Sequence, residues 1–305
     1  MSGATTSVYV DPNTGGVQAG VMQFRNKIIN GNFDVWQRGT SFSLGINADR
    51  WQLHYNGGTR TVTREIFTPG QNIVPGNPVY YSRQSTTVIG TNGIHIFYTK
   101  IEGAATLSGS FATISFWAKA NANLTISGVN LAQDLGSGGS PSTGSTVAIV
   151  SSILITTGWT KFSQTAYIPS ISGKTFGTDK NDHLLVAFYC PPTTLFTLDI
   201  AQVQLEEGQR ATPFEIRPYA IELQLCQRFF EVGLSELACA VNSGTYRGLS
   251  TPFKVNKRSK PTITLLTDVG AVTTIDTGRT NEYQASFYNY GGNSLSCTWS
   301  ASSDI

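Results

Sequence analysis

The sequence predicts a mostly β protein: a jelly-roll β-sandwich, then a short helix, then a smaller C-terminal β domain. Three observations carry this. Short runs of alternating apolar and polar residues, such as Thr61-Val62-Thr63-Arg64-Glu65-Ile66, recur between turn signals. Only 13% of the 305 residues are Asp, Glu, Lys or Arg, about half the usual globular share. Gly, Ser, Thr and Asn replace them, which suits a chain with many turns. The chain is also 40% hydrophobic and 11% aromatic, so it has the means to bury a core and does not read as disordered.

In chain order, residues 1–23 read as an extended arm with one β-prone run, Val8-Tyr9-Val10. Residues 24–216 carry the sandwich. Its expected strands are RNKIING, RWQLHYN, TRTVTREIF, VYYSRQST, IHIFYTKI, ATISFWAKA, LTISGVNL, VAIVSSILI, KFSQTAYI, LLVAFYC and LFTLDIAQVQL. About ten strands at this spacing point to a sandwich or jelly roll. GSGGSPSTGST, residues 136–146, reads as a flexible loop inside the domain, because strands of the same kind resume after it.

Residues 217–233 form the expected helical connector. Ile221, Leu225 and Phe229 recur at helical spacing, Pro218 suits the first turn and Gly233 suits the end. Residues 234–305 return to strands and form a β unit of about seventy residues. That size is marginal for a lone core, so self-association is expected, with the apolar helix as a candidate seam.

Composition excludes several functions. A net charge of +2 gives no field to steer toward nucleic acid or an anionic membrane. No stretch of ~18 consecutive apolar residues is present, and MSGATTSVYVDPNTGGVQAG lacks the basic start and apolar core of a secretory signal. Folding in a cytoplasm is therefore expected. Cys190, Cys226, Cys239 and Cys297 form no CxxC pair, and His54, His95 and His183 are not near them in sequence, so buried thiols are expected rather than a zinc site.

Three segments carry a resemblance. NKIINGNFDVWQRGTSF, residues 26–42, followed by ADRWQL, residues 48–53, resembles the opening of a jelly-roll domain found in bacteriophage tail-fibre and virion structural proteins. It is also similar to the first strand of carbohydrate-binding modules. LDIAQVQLEEGQRATPFEIRPYAIELQLCQRFF, residues 198–230, resembles the close of that domain, and PFKVNKRSKPTITLL, residues 252–266, a strand pair in its C-terminal part. Residues 54–197 match only in strand rhythm. The resemblance implies a phage structural protein, often trimeric. It also implies a structural Ca²⁺ held by Asp34, at the end of the first-strand motif, and Asp199, in the last strand. The alternative for these two is a local hydrogen bond for Asp34 and an arginine partner for Asp199.

A sugar ring stacks its C–H face on aromatic side chains while polar groups fix its hydroxyls. The candidate platform residues are Tyr55, Tyr80, Tyr81, Tyr98 and Trp159. Trp36, Trp51 and Trp117 lie among strand residues and read as core. Tyr80 and Tyr81 must point to opposite faces of a strand, so one of them is expected to be exposed.

Catalytic signals are weak. Glu206 and Glu207 are adjacent, which on a strand turns them to opposite faces and is wrong for a glycosidase pair. Asp179, Asp182 and His183 read as a solvated turn. No nucleophile elbow, phosphate loop, His-Glu-x-x-His or β-helix repeat is present. Lys254, Lys257, Arg258 and Lys260 read as a solvated, edge-guarding turn.

The expectation is a non-enzymatic tail-fibre subunit in the virion, assembled in the host cytoplasm. It would be a homotrimer, joined to other tail or baseplate proteins by the arm and binding host surface glycan. The alternatives are a capsid-decoration or head-fibre protein without receptor contact, and a glycan-active enzyme.

Overall fold

The structure is a computed structural model that describes residues 8–10, 17–19, 24–90, 93–238, 246–268, 274–290 and 294–305. Of the expected arm, only the backbone of a hairpin, β1 (Val8–Val10) with β2 (Val17–Ala19), is described. Cys239 lies outside the described residues.

The body is a sandwich of two six-stranded antiparallel sheets. Its strands are β3 (Ser41–Phe42), β4 (Gly45–Ile46), β5 (Trp51–Tyr55), β6 (Thr59–Ile66), β7 (Tyr80–Val88), β8 (His95–Glu102), β9 (Phe111–Ala120), β10 (Leu124–Ile126), β11 (Gly128–Asp134), β12 (Ser145–Val150), β13 (Ile153–Ile155), β14 (Thr160–Tyr167), β15 (His183–Tyr189) and β16 (Phe196–Glu207). One sheet runs β12-β11-β15-β8-β5-β4 and the other β14-β9-β16-β7-β6-β3, with β10 and β13 forming a separate short ladder. The chain crosses repeatedly between the sheets as it advances, with β4–β5, β6–β7 and β11–β12 staying within one sheet, in a jelly-roll arrangement.

The period-two pattern explains the core. Ala112, Ile114, Phe116 and Ala118 of β9 face inward, and so do Leu184, Val186 and Phe188 of β15. Trp51 stacks on Phe97 with centroids 4.8 Å apart, and Phe33 tilts against Trp51 at 5.0 Å. Trp36 and Trp51 are thus core residues, as read from their positions.

Two expected elements differ. RNKIING forms no ladder strand. It runs irregularly beside β16, pairing with its backbone at Lys27–Leu205 and Gly31–Val203, while side chains satisfy most of the rest. The loop 136–146 is pinned: Gly177, Thr178 and Asp179 donate their backbone N–H groups to Leu135, Gly138 and Ser137.

The helix α1 (Tyr219–Gln227) is shorter than its apolar spacing suggests. It buries Glu222, Cys226 and Gln227, while Ile221 faces out. Phe229 is buried in the turn that follows, and Phe230 already begins a strand. Gly233 ends no helix. It sits mid-strand because a Cβ there would lie 2.2 Å from the ring of Trp299.

The C-terminal unit contains β17 (Phe230–Ala238), β18 (Tyr246–Pro252), β19 (Thr262–Asp268), β20 (Thr274–Ile275), β21 (Gln284–Tyr290) and β22 (Ser294–Ser302). These make two three-stranded sheets, β17-β22-β19 and β18-β21-β20, over a core of Phe253, Phe287, Leu295 and Trp299.

This unit is keyed into the sandwich. Arg50 lies 3.5 Å from the Phe229 ring centroid and pairs with Asp304 at 2.9 Å, and Arg38 stacks on Phe230 at 3.5 Å and also reaches Asp304. Arg228 holds Glu102 through two bonds of 2.8 and 2.9 Å. The basic run 254–260 is therefore not a uniformly solvated turn. Lys257 is buried, pairs with Glu231 at 2.6 Å and donates to the Gln227 carbonyl, while Arg258 reaches Lys180 and Asn181 of the sandwich. Of the run's four basic residues, Lys254 and Lys260 are exposed.

Both side chains of the Lys257–Glu231 pair are out of water, at 0% and 1% exposure. Truncating one strands the other charge in the interior. Lys257→Ala is expected to cost about 3–5 kcal/mol of stability in denaturant unfolding. Lys254→Ala, on the exposed neighbour, is expected to cost less than about 0.5 kcal/mol.

Candidate functional site

The motifs at the two ends of the sandwich meet and build one wall of a cleft. Asn26 accepts from the N–H groups of Ile28 and Leu205 at 3.0 Å each and donates to the Val203 carbonyl at 3.0 Å. Asn30 donates to the carbonyls of Val35 and Asp49, and its own N–H reaches Glu222 of α1. Glu215 accepts from the Asn26 N–H at 2.9 Å, and Arg217 reaches the carbonyls of Asn26 and Ile28. Gly31 is required here, because a Cβ would stand 2.1 Å from the Val203 carbonyl oxygen.

β16 bulges opposite this seam. Its register with β9 shifts between Ala201 and Gln204, and Gln202 takes φ +49°. The Gln202 amide donates to the Pro75 carbonyl at 2.7 Å, which ties the 67–79 loop over the bulge. Asn77 in that loop has φ +47°. Two non-glycine residues in the left-handed region beside one opening mark it as a constrained site.

The opening is a cleft of about 470 Å³. Asn32, Asp34, Arg64, Asn77, Tyr80 and Tyr219 supply its aromatic and polar wall, with Gln202, Ile216 and Arg217 beside them. Tyr80 lies on the inner side of β7 but beyond the end of the core, so its ring is half-exposed. The Arg64 guanidinium sits 4.5 Å from the Tyr80 centroid. Tyr219, at the first turn of α1, is 58% exposed.

Asp34 is half-buried and accepts from Asn32 at 2.9 Å. Burial pushes its carboxyl above the usual range, opposed by that amide donor. Among the described residues, no ion pair engages Asp34 or Arg64. Arg217, in contrast, is held by Glu215 at 3.0 Å and Glu222 at 3.3 Å. The cleft therefore presents an unpaired acceptor, an unpaired planar donor and two aromatic rings.

The sequence-predicted residues fall into separate places. Tyr80 and Asp34 share the cleft. Tyr81 and Trp159 come together on the outer face of the same sheet, but as structure: with Phe67 they form a cluster of centroid distances 4.7–5.3 Å, and Tyr81 is 8% exposed. Tyr55 packs against the main core near Arg60. Tyr98 lies on the outer face of the other sheet, its hydroxyl donating to Gln52 at 2.7 Å.

Asp34 and Asp199 do not fit a shared calcium ion. Asp199 lies in the outer-face cluster, bound by Arg83 at 2.7 and 2.9 Å with Lys119 at 3.6 Å. Two cations on one carboxylate oppose a divalent ion. Among the described residues, no group of three His, Cys, Asp or Glu is placed to hold a metal.

Sequence reasoning missed Arg64, Gln202, Arg217 and Tyr219. The available signal is the TPFEIRPY segment, whose Arg217 and Tyr219 fall at the start of the expected helical connector. Among the described residues, no helix is long and apolar enough to cross a membrane.

No protein-family model matches the sequence. No curated protein matches it either. Among solved structures, the chain is similar to the enzymatically active domain of tailspike protein 4 of bacteriophage CBA120, with TM-score 0.39 and 18% identity over 61% of this chain and 22% of that one. The chain thus spans under a quarter of that domain's length. It is similar to the family 11 carbohydrate-binding module of cellulase Lic26A-Cel5E of Clostridium thermocellum, with TM-score 0.37 and 14% identity over 60% of this chain and 96% of that one. A third is the CBM22-2 xylan-binding domain of Paenibacillus barcinonensis Xyn10C, with TM-score 0.35 and 15% identity over 55% of this chain and 99% of that one. None of these scores reaches 0.5, and they assign no family.

The two adjacent tyrosines separate structure from site. Tyr81→Ala is expected to lower stability by about 3 kcal/mol, as for other buried aromatics. Tyr80→Ala is expected to cost under about 1.5 kcal/mol. Thermal and denaturant unfolding of both variants checks this.

Proposed function

We propose that the chain is a bacteriophage tail-fibre structural protein that binds host surface glycan without cleaving it, and that the cleft at Tyr80 is its glycan site. The observation that carries the glycan reading is the combination of Tyr80 and Tyr219 with unpaired Asp34 and Arg64 in one opening. Aromatic rings offer stacking faces, a carboxylate accepts from two hydroxyls, and a guanidinium donates in a fixed fork. The cleft volume lies within the usual range for small-ligand sites.

Binding without turnover is supported by the acids present. Among the described residues, Asp34 is the one carboxylate lining the Tyr80 cleft. Behind it, Glu215 and Glu222 are occupied by Arg217 and backbone N–H groups. Glycoside hydrolysis ordinarily uses two carboxyl groups flanking the bond.

The phage assignment rests on the ordered sequence resemblance at 26–53, 198–230 and 252–266. In this fold those segments are contact partners, which explains why their residues occur together. In the same proposal the protein is a homotrimer in the virion, its arm joins other tail or baseplate proteins, and repeated copies raise weak sugar affinity to avidity.

The isolated chain should bind a subset of a glycan array and adsorb to host cells. Tyr80→Ala and Tyr219→Ala should each weaken binding at least tenfold, about 1.4 kcal/mol, with the melting curve little changed. Unchanged binding in both variants would reject the cleft.

Asp34 adds a pH signature. Its charged form accepts sugar hydroxyls, so affinity should hold at neutral pH and fall as pH drops through its raised pKa, above the usual carboxylate range. Asp34→Asn should remove that dependence in binding titrations, and a slope that persists in this variant would assign the effect elsewhere.

A further inference from the structure

The cleft continues past the Tyr80 compartment. Gly76, Gln202 and Ile216 line it and also line a second compartment of about 520 Å³. Ile216 is the saddle between them: it is 62% exposed, and a Cβ on Gly76 would lie 2.7 Å from its Cδ1. The remaining walls of the second compartment are Pro75, Lys161, Ala211, Thr212, Pro213 and Phe214.

The compartments differ in charge. The first holds Asp34 together with Arg64 and the paired Arg217. In the second, Lys161 is the one charged lining residue among the described residues. Its ammonium group has a single, long bond to the Thr212 carbonyl at 3.4 Å, and no ion pair engages it among the described residues. The acid behind this wall, Glu206, is buried and already meets Arg25 at 3.2 Å and the Thr212 N–H at 2.8 Å. An anion at Lys161 therefore faces a cation with no carboxylate on the same wall among the described residues, whereas in the first compartment Arg64 shares the wall with the Asp34 carboxylate, which repels an anion.

Resting on the glycan reading above, we infer that the ligand is an acidic oligosaccharide of at least two sugars, with its anionic sugar against Lys161 and a neutral sugar between Tyr80 and Asp34. The charge difference fixes which way the chain lies across Ile216. The apolar walls of Pro213 and Phe214 suit the C–H face of the acidic sugar, while Lys161 takes its carboxylate.

The test uses an array of uronic-acid-containing oligosaccharides, each paired with its carboxyl-reduced neutral counterpart, on the full chain and on Lys161→Gln. The expected result is about tenfold tighter binding of acidic members over their reduced partners, a preference that shrinks with added salt. Lys161→Gln should erase that preference, so that each acidic member binds no tighter than its reduced partner. Equal binding within each pair overturns the acidic ligand, and a preference that survives Lys161→Gln overturns its placement at Lys161; either result leaves the glycan reading intact. Failure of every member to bind, with Tyr80→Ala indistinguishable from the unaltered chain, overturns both.

Discussion

The seam between the first segment of the sandwich and its last strand is the constraint on which the rest depends. Residues 26–31 form no ladder, so their backbone groups need side-chain partners in a buried setting. Glu215, Arg217, Glu222 and the Asn26 side chain supply most of them, while the Asn26 and Asn30 side chains serve backbone groups of Val203, Leu205, Val35 and Asp49 in return. An unsatisfied group here costs about 1–3 kcal/mol, so the seam tolerates few substitutions. The same network reaches forward to Glu215, Arg217 and Glu222, and so sets where α1 begins.

From that point the seam orders two distant features. On one side, α1 delivers Phe229 and Phe230 to the guanidinium faces of Arg50 and Arg38. Asp304 closes the same junction from the other end of the C-terminal unit. The unit that is marginal alone thus shares buried charge and aromatic area with the sandwich, and the buried Lys257–Glu231 pair braces it from within. On the other side, the seam places Asn32, Asp34, Arg217 and Tyr219 around the bulge at Gln202, which opens the cleft.

Charge in this protein is scarce, and its buried charges are largely held in pairs. Arg83 with Asp199, Arg217 with Glu215 and Glu222, and Arg228 with Glu102 are structural. Against that background Asp34, Arg64 and Lys161 stand out because they line a solvent-facing groove without ion partners among the described residues.

The sequence by itself determined the β-rich class, the two β units joined by a helix, and the core roles of Trp36 and Trp51, because strand periodicity is a local property of the chain. It also marked Tyr80 and Tyr81 as opposite-facing, and the structure separates them into cleft and cluster. Tertiary structure alone decided which of the two is exposed, because a 67–79 loop and Trp159 cover one face of β7 and leave its other end open. It likewise ended α1 at Gln227 and made Gly233 a strand residue, because the Trp299 ring occupies the space of a Cβ there. Lys257 looked solvated in a basic run, yet it is buried because Glu231, distant in sequence, meets it across the fold. Partners brought together from far apart in the chain leave no local pattern to read, and the cleft is built almost wholly from such partners.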